Sequence, residues 1–174
     1  MKMFQKAVID SGPLFSALVL NYDLRTIRYG QLPRFTHVLD DPLTNTFAQR
    51  RFLELLGSIR EKLTTSHVVA ELSGLERSRL HLYGDGLLDF WRTSIDLLTQ
   101  WDVDERLIRL LDIAGNETFQ RCIPRIGLID TALIHLALRN ECVLITQDER
   151  TLAPEALTRG VDCRLVKQLV SLVG

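Results

Sequence analysis

The chain has little cysteine, no long apolar run and no surplus of charge of either sign. Its three cysteines, Cys122, Cys142 and Cys163, stand far apart with no CxxC pair. That excludes a disulfide framework and a cysteine-based structural zinc site, and Cys142 and Cys163 read as small core residues in apolar runs. No stretch approaches the roughly 20 apolar residues that would cross a bilayer. The start, Met1-Lys2-Met3-Phe4-Gln5-Lys6, runs into a strand without the apolar region of a signal peptide. A cytoplasmic protein with no membrane partner is therefore expected. Lys and Arg number 21 against 22 Asp and Glu, for a net charge of −1. No global positive field marks a nucleic-acid binder, although a divalent cation would carry its own positive charge into an acidic site. A GxxxxGK[ST] phosphate loop is missing too, since Gly12-Pro13 and Gly84-Asp85-Gly86 read as turns.

What is present has the ordinary balance of a globular protein: 174 residues, 46% hydrophobic and 25% charged. That length accommodates one domain over residues 1–174 with a proper core. Ala7-Val8-Ile9 reads as a buried strand, stopped by Asp10-Ser11-Gly12-Pro13, with a helix from Leu14 and Ser11 as its N-cap. The stretch from Asn21 to Thr46 holds Gly30, Pro33 and Pro42 and reads mostly as loop. Phe47, Phe52, Leu55, Leu56, Ile59 and Leu63 recur at helical spacing, which predicts one amphipathic helix over 46–63, with Phe47 and Phe52 as core. Thr64-Thr65-Ser66 is a short break before a helix from His67 to Leu80. A further helix spans Leu87 to Leu98. Trp101-Asp102-Val103 suits a short strand, and Asp104 suits the cap of a helix from Glu105 to Ile113. Pro124-Arg125-Ile126-Gly127 leads into a helix from Leu128 to Arg139. Cys142 to Thr146 and Val161 to Val166 are the remaining strands. Helices alternating with short buried strands predict an α/β fold, a central, mostly parallel sheet with helices on both faces.

The acids carry the chemistry. Asp10 ends the first strand, where ligands collect in open α/β sheets. Glu71 lies between Val68 and Leu72 within a helix, and Asp148 follows the strand end at Ile145-Thr146. Asp130 is almost the only ionisable residue in Gly-Leu-Ile-Asp-Thr-Ala-Leu-Ile-His-Leu-Ala-Leu. A lone carboxylate there costs several kcal/mol unless it is paired, hydrogen-bonded or metal-bound; as a first-turn acid it is also stabilised by the helix dipole. If the four converge, they repel unless a hard cation accepts their oxygens. Such an ion activates water and neutralises charge on a phosphate under attack. With no His–Cys or Ser–His nucleophilic set, the acids point to metal-dependent phosphodiester hydrolysis.

Four segments carry a resemblance. Val8-Ile9-Asp10-Ser11-Gly12-Pro13-Leu14 resembles the first motif of the PIN family, and Ser66-His67-Val68-Val69-Ala70-Glu71-Leu72 the second. Gly127-Leu128-Ile129-Asp130-Thr131-Ala132-Leu133-Ile134 is similar to the third, and Leu144-Ile145-Thr146-Gln147-Asp148 to the fourth. Each motif is weak alone, but order and spacing agree from Ala7 to Val166. The resemblance implies a PIN-like fold, dependence on Mg²⁺ or Mn²⁺, and endoribonuclease activity of the kind found in VapC-like toxins of toxin–antitoxin pairs. It implies Asp10, Glu71 and Asp130 as catalytic metal ligands and Asp148 as a fourth, direct or through water. Ser11 and Thr146 would orient neighbouring carboxylates. RNA is the implied substrate, and a cognate antitoxin and a homodimer are the implied partners. The segment 21–62 is longer than compact toxin-like members need and suggests a clamp, a partner surface or a gating loop.

Other residues carry less. Arg121 and Arg125 precede the Asp130 helix and suit phosphate contacts; Arg25, Arg28, Arg34, Arg50 and Arg51 form a mildly basic region. For each, ordinary solvated surface is the competing reading. His67 stands one turn before Glu71 and suits a metal ligand, a cap or a core residue. His135 reads as a satisfied core histidine, and Trp91 and Trp101 as structural. The main competing function is a non-catalytic PIN-like module that binds RNA or protein. A phosphatase using Asp10 as covalent nucleophile leaves Glu71 unexplained.

Overall fold

The computed structural model describes residues 4–26, 34–41 and 43–171. The segment 27–33, with Arg28, Gly30 and Pro33, and also Pro42 and Met1 to Met3, lie outside the described residues. Five short strands build the centre: β1 (Lys6–Ile9), β2 (Glu61–Thr65), β3 (Val103–Arg106), β4 (Val143–Thr146) and β5 (Cys163–Leu165). They form one sheet in the order β3-β2-β1-β4-β5, and every pairing is parallel. The register sets Val8 beside Leu63 on one side and Leu144 on the other. Burial on both faces explains why β4 reads as an unbroken apolar run rather than an alternating one.

Helices flank the sheet as expected of an α/β fold. α1 (Ser11–Thr26) packs with α2 (Thr46–Ser58), α3 (Ser66–Arg79) and α4 (Gly84–Gln100). α7 (Leu128–Arg139) packs on β1, β2 and β4 together with α5 (Leu110–Ala114) and α6 (Glu117–Ile126). α8 (Leu152–Thr158) and α9 (Val166–Ser171) close the edge beside β5, and α9 also meets α2. Phe15, Phe52 and Phe90 are the largest fully buried side chains of the core.

Several local expectations are corrected. The helix predicted over 46–63 ends at Ser58, where Ile59 turns extended, and Glu61 to Thr65 enter the sheet as β2. Lys62 in that strand is buried; its ammonium donates to the carbonyls of Ile59 (2.5 Å) and Trp101 (3.1 Å). Phe47, expected in the core, is exposed. Asp104 caps no helix: it lies in β3, an edge strand carrying charges that discourage further pairing. Gly84-Asp85-Gly86 forms the first turn of α4. Pro124 lies inside α6 rather than in a lead-in loop. Asn21 to Thr26 complete α1 instead of starting a loop. That helix begins at Ser11, so Asp10 takes the capping place expected of Ser11: the Asp10 carbonyl accepts the Leu14 amide and its carboxylate accepts the Ser11 amide.

Much of segment 21–62 is thus integral to the fold. The buried carboxylate of Asp23 accepts the amides of Arg34 (3.3 Å) and Phe35 (3.0 Å), ahead of a short 3-10 turn at Thr36–Val38. This anchorage leads the chain to Asp40, which stands at the carboxyl end of the sheet.

Candidate acidic site at the switch point of the sheet

Chain order reverses direction between β1 and β4, the place where a doubly wound sheet leaves a crevice at its strand ends. A cavity of about 300 Å³ opens there, and Asp10, Glu71, Asp130 and Asp148 all line it. Four acids spread over 139 positions of sequence, from 10 to 148, therefore reach one place. Each arrives by a different local device.

Asp10 is carried by β1, and only 7% of it is exposed. One carboxylate oxygen accepts the Ser11 amide at 2.6 Å and the Ser11 hydroxyl at 3.3 Å; the other accepts the Thr146 hydroxyl at 2.6 Å. Thr146, fully buried at the end of β4, also accepts the Asp148 amide at 3.0 Å. One hydroxyl thus ties the ends of β1 and β4 together. Burial raises the Asp10 pKa, opposed by these bonds and reinforced by the charge of Glu71.

Glu71 is exposed on α3, whose N-terminus is capped by Thr65 accepting the Val68 amide. Asp130 sits in the first turn of α7. That helix is entered through Gly127 at φ 89°, ψ 170°, a region essentially reserved for glycine. The Thr131 hydroxyl then locks the entry by donating to the Gly127 carbonyl at 2.6 Å. Among the described residues no donor bonds to the Asp130 carboxylate. Burial, and then the charges of Asp10, Asp148 and Glu71, push its pKa up to about 7.

Asp148 is placed differently. One of its oxygens accepts the amides of Arg150 and Thr151, both at 2.9 Å, and the other accepts the Thr151 hydroxyl and the Leu152 amide. Burial would raise its pKa, but the Thr151 hydroxyl and the three amides hold it below the usual carboxylate value. A carboxylate offers about four lone-pair sites, so this one is saturated while it organises the entry to α8. Its charge still faces Asp130.

Sequence reasoning missed Asp40, Arg79, Gln147 and Phe15, which also line the cavity. Tertiary packing alone brings them there, and no local pattern announced them. Gln147 packs so closely over Gly12 that a Cβ at that position would lie 2.6 Å from its side-chain oxygen. Arg121 and Arg125 are not on this cavity: Arg121 pairs with Glu117, and Arg125 pairs with Glu155 beside a separate cavity. His67 does not line it either, and its buried Nδ1 has no hydrogen-bond partner among the described residues. His135 differs from the satisfied core histidine expected: its buried Nε2 has no hydrogen-bond partner among the described residues, its ring stands edge-on to Phe119, and burial lowers its pKa.

The donor set suits a hard divalent ion: carboxylate oxygens of uniform sign, with one of them unbonded and electrostatically displaced from its ordinary value. The acids surround a space rather than close on a point. Among the described residues no three His, Cys, Asp or Glu side chains form a ready-made ligand shell as they stand. No protein-family model matches the chain, and no curated protein matches it. The fold and cavity define a class, an α/β protein with an acidic crevice at the switch point of a parallel sheet.

Proposed function

We propose that this protein is a PIN-like, Mg²⁺- or Mn²⁺-dependent endoribonuclease that hydrolyses RNA phosphodiester bonds at the acidic cavity. The observation that carries the reading is Asp130: a half-buried carboxylate without a bonded donor among the described residues, pushed to about 7 by burial and then by three other acids around one cavity. An arrangement of that kind is costly to a structural protein and useful to one that binds a divalent cation. Asp10, Glu71 and Asp130 would hold the ion. When bound, it supplies an acidified water and neutralises charge on the phosphate. Ser11 and Thr146 fix the orientation of Asp10. Asp148, saturated by its own turn, contributes charge and the position of β4's exit rather than a free oxygen. Activity as a toxin with a cognate antitoxin, and pairing as a homodimer, rest on the motif resemblance alone.

A second reading, a non-catalytic PIN-like module that binds RNA or protein, is favoured by the charge balance, 21 Lys and Arg against 22 Asp and Glu, which supplies no global positive field to hold a strand during cutting. The experiment that separates the two incubates labelled single-stranded RNA with the protein in Mn²⁺ or in chelator, beside Asp10→Asn and Asp130→Asn. Metal-dependent cutting by the wild type alone supports the nuclease. Undiminished cutting by either variant sinks it, and absence of both cutting and carboxylate-dependent Mn²⁺ uptake leaves the binding module.

A further inference from the structure

The cavity of acids does not stand alone. A second cavity of about 290 Å³ shares three of its walls, Asp40, Gln147 and Asp148, and continues past them to Arg150 and Lys167. The two form one track along the carboxyl edge of the sheet. Its cations are unevenly engaged. Lys167 is paired with Glu149. Arg79 and Arg150 have no ion-pair partner among the described residues, and both are exposed. Arg79, at the end of α3, lines the acid cavity with its guanidinium 6.0 Å from the ring centre of Phe15. Such a stack holds the plane of an arginine while leaving its donors free. Arg150 lines the second cavity beyond Asp148; its amide is bonded to that carboxylate, and it also borders the separate cavity beside Arg125.

Arg79 shares its cavity with five carboxylates, and Arg150 lines the adjoining one with Asp40, Asp41, Asp148 and Glu149, so each would be expected to collapse onto an acid. That neither does so leaves two forks of donors flanking an acidic centre. Such a layout suits a polyanionic strand: a phosphate under attack would sit over the acids, where a cation must offset the repulsion, and its neighbours on each side would meet an arginine. On the basis of the nuclease reading, we propose that Arg79 and Arg150 are phosphate-contacting residues that grip a nucleic-acid strand on opposite sides of the scissile phosphate.

The test measures binding of a short fluorescein-labelled single-stranded RNA by anisotropy over a salt series, with Mg²⁺ present. Asp10→Asn is the background, so that the strand stays uncut. Arg79→Gln, Arg150→Gln, their double variant and both Arg→Lys variants are compared on it. Each phosphate contact to a single strand contributes about 0.7 to the slope of log affinity against log salt. Each glutamine variant should therefore flatten the slope by about 0.7 and the double by about 1.4. The lysine variants, which keep the charge, should restore the slope, an outcome that a merely structural role would not produce. Slopes unchanged in both glutamine variants overturn the proposal while leaving the nuclease reading intact, and a change at one arginine alone overturns the two-sided grip. If the background protein binds no RNA while wild type cuts none, the nuclease reading falls and this inference with it.

Discussion

At the amino ends of β1, β4 and β5 lies a cavity of about 810 Å³, bordered by Phe4, Lys6, Glu141, Cys142, Asp162 and Arg164. At the carboxyl ends of β1 and β4 lies the smaller one, about 300 Å³, with five acids and one arginine. Size favours the first and chemistry the second. In the larger cavity both cations are paired: Lys6 with Glu61 at 3.2 Å, and Arg164 with Asp162 at 2.9 Å. In the smaller one the carboxylates face each other, and only some of their oxygens are bonded. Burial is not the difference either. Glu155, elsewhere in the fold, is only 3% exposed, yet Arg159, Cys122 and Arg125 hold its pKa below the usual value against burial. What sets the smaller cavity apart is unbalanced charge held in place by ordered backbone.

The strongest way to break that contrast is to neutralise the unbalanced end. Asp10→Asn or Asp130→Asn should remove several kcal/mol of transition-state stabilisation, roughly a thousandfold in RNA-cleavage rate measured in Mn²⁺. Asp130→Asn should at the same time raise the thermal stability of metal-free protein above neutral pH, because it relieves repulsion. The pH dependence sharpens this. The folded pKa of Asp130 is about 7 against an ordinary 3.8, so the folded state holds a proton that the unfolded state has released. Its destabilising effect is absent below about 3.8 and complete above about 7, and this group makes stability fall as pH rises between them. Asp148, with its lowered pKa, acts oppositely: its contribution is present above the ordinary value and lost as the solution is acidified below it. Denaturant unfolding in chelator should show the downward trend between those pH values in wild type and a flatter one in Asp130→Asn. A steeper trend in the variant would contradict the assignment.

Weaker perturbations should follow in order. Thr146→Val removes the hydroxyl that bridges Asp10 to the Asp148 amide and should cost about 10- to 100-fold in activity or metal affinity; Mn²⁺ titration of the folded variant reads it directly. Gly127→Ala meets no atom within 4 Å, so its cost is the backbone conformation alone, about 1 to 3 kcal/mol in chemical denaturation. At the matched end, Arg164→Gln should change stability by less than about 1 kcal/mol, the range of exposed ion pairs, and should leave cleavage unaltered. A large loss of activity there would erase the distinction between the two ends.

The parts of this architecture written in local sequence were legible. α7 was read with its observed bounds because an apolar run starts after Gly127 and stops at Asn140. β1 and β4 were equally plain as short buried runs. β2 was not: Phe52, Leu55, Leu56, Ile59 and Leu63 keep helical spacing across the actual turn at Ile59. Lys62 disguised the strand further, since its ammonium finds carbonyl partners inside the protein. β3 was hidden by the charges proper to an edge strand. The four acids could be named from their positions relative to strand and helix ends. Asp40 and Arg79 could not, because segment 34–41 and the last turn of α3 reach the cavity through packing. The saturation of Asp148 also lay beyond sequence, since it depends on the turn its own neighbours make.

The strand order has a consequence in time. β1 lies between β2 and β4, and the Thr146 hydroxyl that steadies Asp10 lies 136 residues further along the chain. During synthesis the chain up to Arg106 can gather β1, β2 and β3 early, but the wall opposite Asp10 does not yet exist. Non-local parallel pairings of this kind form slowly, and chains fold broadly in the order they emerge. The acidic crevice is therefore assembled among the last features of the molecule, and a nascent or truncated chain lacking β4 would carry Asp10 and Glu71 without the site.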